Sequence, residues 1–407
     1  MRCGLLGKKL GHSYSPQIHR LLGSYTYALF EKDFDELDAF LKDDNFSGLN
    51  VTIPYKKDVI PYCDELTDCA RKLGAVNTIV RRDDGTLVGH NSDYYGFQSM
   101  LRRTGVSVSG KKALVLGSGG ASATVTAVLH ELHANVVVIS RNGVNNYENI
   151  SLHSDAQIIV NTTPVGMYPN TGVSPLDLNV FPNLECVLDV IYNPSKTKLL
   201  LDAEAKGIQA ENGLWMLIAQ AKESAEWFTG IHISDDIILK IHTELSRQMR
   251  NIVLIGMPGC GKSSIGKQLA QRLNRTFVDS DASIEALAGM PIPEIFDKFG
   301  EERFRQYETE VLKDLGKQSG LVIATGGGCV TKLANYPSLR QNSIIIWIRR
   351  DLSILPIEGR PLSQQNHLQE MYQTRKPMYD ALSDYSITND SSIHVAVQVI
   401  LSEVGYQ

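Results

Sequence analysis

Short, unbroken apolar runs recur along the chain, and most of them break into a turn rich in glycine or asparagine. Ala113–Leu116 runs into Gly117-Ser118-Gly119-Gly120-Ala121, and a helical apolar pattern then continues to Leu132. Val136–Ile139, Gln157–Val160 and Glu185–Ile191 follow as further runs. Runs this short, apolar on both faces and separated by a helical stretch, predict a doubly wound parallel sheet. Ahead of them, residues 1–95 alternate apolar runs with loops rich in Ser, Asn and Gly, and Leu49–Ile53 predicts a strand closed by Pro54. Leu214–Phe228 and Ile237–Gln248 carry helical spacing. The second of these meets the next strand through Met249-Arg250-Asn251, with no Gly/Ser or Pro-rich tether. From residue 251 the alternation of strand and helix restarts, with strands at Ile252–Ile255, Val322–Ala324 and Ile344–Ile348.

A chain of 407 residues has room for two or three such domains. Its apolar content of 43% and charged content of 21% are ordinary for a globular protein. The net charge is −5 and neither half is basic, which argues against a nucleic-acid partner. Small anionic substrates fit, because local Lys and Arg can serve them. The six cysteines form no CxxC pair and no metal-type spacing, as expected of reduced thiols. No stretch reads as a secretory signal or a membrane span, so a cytoplasmic protein without a membrane partner is expected.

Two glycine loops bring in chemistry, and they differ in kind. The Gly117 turn has the form that receives a dinucleotide pyrophosphate at a helix N-terminus. The strand after it ends in Ser140-Arg141, where NAD sites place an acidic residue. A guanidinium there suits a 2′-phosphate and favours NADP(H). The second loop, Gly256-Met257-Pro258-Gly259-Cys260-Gly261-Lys262-Ser263, is the phosphate cradle of a nucleoside triphosphate. Its backbone N–H groups ring a phosphate, Lys262 neutralises charge and the Ser263 hydroxyl ligates Mg²⁺. Phe277-Val278-Asp279-Ser280-Asp281 closes the next strand. On an extended chain its two alternate carboxylates point the same way, one toward metal and one toward a substrate hydroxyl.

Six motifs in residues 1–245 together resemble shikimate dehydrogenases. They are Gly11-His12-Ser13-Tyr14-Ser15-Pro16, Asn50-Val51-Thr52-Ile53-Pro54-Tyr55-Lys56, Gly74-Ala75-Val76-Asn77-Thr78, Gly89-His90-Asn91-Ser92-Asp93, Asn161-Thr162-Thr163-Pro164-Val165-Gly166-Met167 and Gly213–Gln220. The resemblance implies that Lys56 and Asp93 form the acid/base pair, and that Ser13, Ser15, Thr52, Asn77, Tyr192 and Gln220 bind substrate. It also implies a cofactor pocket from Gly117, Ser118, Gly119, Gly120, Ala121, Ser140, Arg141, Val190 and Gly213. Ser13 with Ser15 favours shikimate over quinate; use of quinate or NAD is the close alternative. The chain departs from the pattern in two places. Only about 15 residues separate Asn142 from Gln157, where a crossover unit takes roughly 30, so one edge of the dinucleotide sheet is expected to be shortened. Trp215 stands where a smaller residue is common.

Residues 251–407 resemble shikimate kinases through the phosphate loop, Gly300–Glu308, Thr325-Gly326-Gly327-Gly328, Gly359-Arg360-Pro361-Leu362 and Arg375-Lys376-Pro377-Met378-Tyr379. The resemblance implies ATP contacts from Pro258, Gly259, Cys260, Gly261, Lys262, Ser263, Ser264 and Arg360. Mg²⁺ would sit between Ser263 and Asp279. Asp281 would hold and activate the shikimate hydroxyl, with Arg305, Gly327 and Arg375 around the rest of the substrate. Catalysis would fall to Asp281, Lys262 and Arg360.

The expected architecture is α/β throughout. An N-terminal α/β substrate domain (1–95 and 213–248) and a Rossmann-like NADP domain (96–212) precede a P-loop NMP-kinase-like parallel α/β domain (251–407). The expected function is a bifunctional one. 3-Dehydroshikimate is reduced to shikimate with NADPH, and shikimate is phosphorylated with Mg·ATP. A ligand-sensing protein that has lost this chemistry is disfavoured, because Lys56, Asp93, Lys262, Ser263 and Asp281 are all present.

Overall fold

The computed structural model describes residues 1–11, 13–43, 46–355 and 365–406. Three sheets organise them. The first holds β1 (Arg2–Gly7), β2 (Thr26–Glu31), β3 (Gly48–Val51), β4 (Glu65–Leu66), β5 (Thr78–Arg81) and β6 (Leu87–His90), in the order β2-β1-β3-β5-β6-β4. It is mixed: β3–β5 and β5–β6 run antiparallel, and the remaining pairs run parallel.

The second sheet is wholly parallel. Its strands are β7 (Lys112–Leu116), β8 (Asn135–Ile139), β9 (Ile158–Asn161), β10 (Cys186–Asp189) and β11 (Gln209–Asn212), in the order β11-β10-β9-β7-β8. The unbroken apolar run of β7 has its cause here: Ala113 to Leu116 are fully buried, with strands on both sides. The direction of winding reverses between β7 and β9, which opens a crevice at their carboxyl ends. The sheet ends at β8. Beyond it a loop is stapled to itself, with Asn149 accepting from the Asn146 N–H at 2.8 Å and donating to the Val144 carbonyl at 2.9 Å. A single 3₁₀ turn, Ile150–His153, then leads into β9.

The third sheet holds β12 (Asn251–Ile255), β13 (Phe277–Asp279), β14 (Val322–Ala324), β15 (Ser343–Arg349) and β16 (Tyr385–Thr388), again all parallel, in the order β13-β14-β12-β15-β16. β12 is its buried centre, and every residue of Ile252–Ile255 is in the core.

The chain divides into two compact units. One comprises Met1–Gly166, Val173–Tyr192 and Asp202–Glu244, and so holds the first two sheets; the other comprises Met167–Gly172, Asn193–Leu201 and Leu245–Gln407. In the first unit the helices Asp93–Thr104 and Leu214–Thr229 pack tightly. A Cβ on Gly96 would lie 2.8 Å from the Met216 carbonyl. Trp215 does not enter a binding crevice. Its indole N–H donates to Ser99 at 2.9 Å and the Arg103 guanidinium caps its ring, so its bulk is used in the helix joint. Among the described residues no helix is long and apolar enough to cross a membrane.

Gly213 shows why the backbone permits no side chain at the start of the second of these helices: an added Cβ would sit 2.0 Å from the Val190 carbonyl oxygen. Gly213→Ala is expected to cost about 1–3 kcal/mol through overpacking. The check is thermal unfolding of the first unit, where the midpoint should fall by several degrees.

Candidate active sites

In the first unit the tip of β3 and the N-terminus of the Asp93–Thr104 helix are brought face to face. Lys56 and Asp93 form an ion pair of 2.5 Å in a half-buried setting. The backbone fixes both partners. The Lys56 carbonyl accepts from the Val76 N–H at 2.8 Å, and the Asp93 N–H donates to Asn91 at 3.1 Å.

A buried polar chain runs behind this pair. Ser92 donates its N–H to Asn77 Oδ1 at 2.8 Å, and its hydroxyl reaches Gln220 Oε1 at 3.3 Å and Ser224 Oγ at 2.9 Å. Asn50 donates to Ser224 at 2.8 Å and accepts from the Tyr27 hydroxyl at 2.8 Å. Asn77 and Gln220 therefore share a partner, although 143 positions apart by their numbers. Ser15 is buried at the start of its helix, and its N–H donates to Ser13 Oγ. Between them Tyr14 meets Tyr192 edge-on, ring centroids 6.1 Å apart, so the Ser13–Ser15 turn and the chain just past β10 are in contact. Thr52 lies at the end of β3, its N–H bonded to the Leu6 carbonyl at 2.9 Å.

The dinucleotide-type turn is open where a ligand would need it to be. Ser118, Gly119 and Gly120 are exposed, the helix that starts at Gly120 has no side-chain cap, and Ala121 opens its first turn. Its free N–H groups suit a pyrophosphate. The Gly117 N–H bonds the Ile139 carbonyl at 2.8 Å, which sets Ser140 and the exposed Arg141 beside the turn. Val190, just past β10, packs its backbone directly against Gly213.

The second unit builds its site at the carboxyl ends of β12, β13, β14 and β15, around a cleft of about 910 Å³. Lys262 donates to the Gly256 carbonyl at 2.9 Å and the Met257 carbonyl at 3.0 Å. Pro258, Gly259, Gly261, Ser263 and Ser264 line the cleft, and Cys260 is buried beneath them. The Ser263 hydroxyl donates to Asp279 at 2.7 Å. One hydroxyl and one carboxylate, both hard oxygen donors, fit a Mg²⁺ that keeps most of its waters and takes phosphate oxygens.

The extended-chain expectation for Asp279 and Asp281 is corrected. β13 stops at Asp279, and Asp281 lies in the first turn of the helix Ser280–Ala288. The cause is a cap: Asp279 accepts from the Asp281 N–H at 3.1 Å and starts the helix. The carboxylates remain close for that reason instead. Burial, then the charge of Asp279, pushes the Asp281 carboxyl above its ordinary range.

Gly326-Gly327-Gly328 closes the other side. A Cβ on these three would come within 2.7 Å of Asp281, 2.6 Å of Pro258 and 2.4 Å of Arg305. Gly327 is thus fixed by its packing on the phosphate loop, and its carbonyl accepts from Arg375 at 3.1 Å and the Tyr379 hydroxyl at 2.6 Å. Arg305 is less free than a carboxylate-gripping residue was expected to be. It is paired with Glu308 at 2.9 Å and Glu301 at 3.0 Å. Arg360 lies outside the described residues.

Glu308 was not assigned a role from the sequence. It is 1% exposed and lines the cleft, and one of its oxygens and one of Asp281's are buried without a hydrogen-bond partner. The signal was available: Glu308 sits on the apolar stripe Phe304, Val311, Leu312 and Leu315, where a charge calls for a buried partner.

An ion-paired lysine and a dinucleotide-type turn within one unit, joined in one chain to a phosphate loop with paired carboxylates, describe an α/β oxidoreductase linked to a P-loop phosphotransferase. Residues 5–79 match the family model of the shikimate dehydrogenase substrate binding domain, and residues 258–404 match that of shikimate kinase. The chain is 36% identical over 264 residues to the shikimate dehydrogenase (NADP(+)) of Clostridium perfringens, covering 60% of this chain and 97% of that protein. Among solved structures, a chorismate mutase/shikimate 5-dehydrogenase fusion protein from Clostridium acetobutylicum superposes with TM-score 0.57 at 38% identity, over 60% of this chain and 96% of the other. Shikimate 5-dehydrogenase from Thermus thermophilus in complex with NADP(H) and shikimate gives 0.55 at 29%, over 60% and 99%. The chain belongs to the shikimate dehydrogenase family and carries a shikimate kinase domain after it.

Removing Arg305 would leave Glu308 buried and uncompensated. Arg305→Ala is expected to destabilise the second unit by about 3–5 kcal/mol at neutral pH. Burial already holds the Glu308 carboxyl above its ordinary value, so the folded chain binds that proton more readily than the unfolded chain. The deficit should be smallest at acid pH, where Glu308 is protonated in both folded chains, and should grow as the pH rises through the raised folded value and ionises it. Hydrogen exchange in β12, β14 and β15 as a function of pH reads it out; a pH-independent deficit would count against the buried pair.

Proposed function

We propose that the chain catalyses two consecutive reactions: reduction of 3-dehydroshikimate to shikimate with NADPH, and phosphorylation of shikimate to shikimate 3-phosphate with Mg·ATP. The observation that carries this reading is the presence in one chain of the Lys56–Asp93 pair and of Asp281 set between the phosphate loop and Arg305. The family membership supports it, as does the NADP(+) named for the relatives.

NADPH, when bound, supplies the hydride. Lys56 donates the proton that the carbonyl oxygen needs as it becomes a hydroxyl, and Asp93 holds the ammonium in place for that transfer. Ser13, Ser15, Thr52, Asn77 and Gln220 are neutral hydrogen-bonding groups suited to a polyhydroxylated ring with a carboxylate. Arg141 beside the Gly117 turn suits a 2′-phosphate.

In the second site Asp281 accepts the proton of the attacking hydroxyl. Its raised carboxyl makes it a stronger base than an exposed aspartate. Lys262 balances phosphate charge, Ser263 and Asp279 would hold Mg²⁺, and Arg375 with Arg305 faces the substrate carboxylate.

The two activities should be separable. Lys56→Ala is expected to lower dehydrogenase kcat by several orders of magnitude while leaving kinase kcat/KM within a few-fold. Asp281→Asn should do the reverse. Steady-state assays of both reactions on both variants decide it; joint collapse in either variant would contradict two independent sites.

A further inference from the structure

The sequence places two arginines side by side at the end of β15, and the structure gives them different surroundings. Arg349 is exposed; it donates to Thr388 at 3.2 Å and lies over the ring of Trp347. Arg350 turns the other way. β15 pairs with β12 in the register Ile255↔Trp347, so the residues just past Trp347 run level with the start of the phosphate loop. Arg350 lines the same cleft as Lys262 and Ser263, and its Nη1 is 3.5 Å from the Gly259 carbonyl in the middle of that loop.

Its charge has no obvious owner. Among the described residues no carboxylate pairs with Arg350, and its Nε is buried without an acceptor. The nearest acid in sequence is already engaged. Asp351 accepts from the Ser353 N–H at 2.9 Å and from its hydroxyl at 2.8 Å, capping the turn Leu352–Ile354. The Asp351 N–H donates to Asp390 at 2.9 Å, which fixes the direction of the chain leaving Arg350. Arg305, by contrast, enters the cleft with two glutamates on it. Among the described residues, Lys262 and Arg350 are thus cations at the phosphate loop that bond to its own atoms and to no carboxylate. A buried guanidinium edge with no acceptor is costly to keep unless an anion arrives to use it.

We propose that Arg350 is a phosphate-binding residue of the kinase site, which pairs with the phosphate chain of the nucleoside triphosphate opposite Lys262. This rests on the reading of the Gly256–Ser263 loop as an ATP site and adds a residue to it. The ligand class is a polyphosphate: the guanidinium meets phosphate oxygens rather than the base.

The test is calorimetric binding of Mg·ATP, Mg·ADP and inorganic tripolyphosphate to the full chain, with shikimate binding and dehydrogenase turnover measured on the same samples. In Arg350→Ala, affinity for all three polyphosphates should fall at least tenfold, with shikimate affinity and dehydrogenase kcat unchanged. Arg350→Lys should recover part of the loss, since it restores charge without the fork. Arg349→Ala should bind all three as the parent does. Unchanged polyphosphate affinity in Arg350→Ala would overturn the proposal, as would a loss for the nucleotides with tripolyphosphate unaffected, which would place Arg350 on the nucleoside. Loss of shikimate binding as well would mark a structural role, and Arg350→Lys binding as poorly as Arg350→Ala would argue against a charge contact. If the parent chain itself bound no Mg·ATP, the ATP reading of the loop would fail, and the proposal with it.

Discussion

A parallel strand buried on both faces can leave its sheet only at the ends, and every strand of a parallel sheet ends on the same side. That constraint assembles the chemistry of this chain. In the second sheet it sets the Gly117 turn at the end of β7 beside Ser140 and Arg141 at the end of β8. In the third it collects the phosphate loop after β12, Asp279 and Asp281 after β13, the glycines after β14 and Arg350 after β15. Residues more than ninety positions apart become neighbours because their strands do. Helix N-termini point the same way and bring unpaired N–H groups to the same edge, where phosphates are best received.

Much of this was legible in the amino-acid sequence because a buried parallel strand has a plain signature. Runs such as Ala113–Leu116 and Ile252–Ile255 have no polar face to confuse the pattern, and the glycine turns after them mark where the chain leaves the sheet. The first sheet is mixed, and its short two-sided strands left a weaker trace. Local competition hid more. Asp279 reads as the end of a strand whose alternation should continue to Asp281, yet as a cap it turns the chain into a helix. Cap or strand is decided by which backbone N–H the carboxylate reaches, and spacing alone does not carry that.

Pairwise packing was less legible still. Gly327 was expected beside the substrate, and its spacing gave no sign that the groups closest to a Cβ on Gly326, Gly327 and Gly328 are the protein's own Asp281, Pro258 and Arg305. Glu308 and Arg350 were passed over because a charge reads as solvated until its neighbours are known. Trp215 stands where a smaller residue is common, and its partners Ser99 and Arg103 lie on the facing helix. In each case the residue was visible, and its partner, distant in sequence, was not.

The two sites share a substrate by this reading, so the most direct measurement is a coupled one on the purified full chain. 3-Dehydroshikimate, NADPH and Mg·ATP are supplied, and NADPH oxidation and shikimate 3-phosphate are followed together. The expected result is shikimate 3-phosphate formed in step with NADPH consumed, and shikimate alone when ATP is withheld. NADPH oxidation with shikimate accumulating despite Mg·ATP, or no oxidation at all, would contradict a chain that carries out both steps.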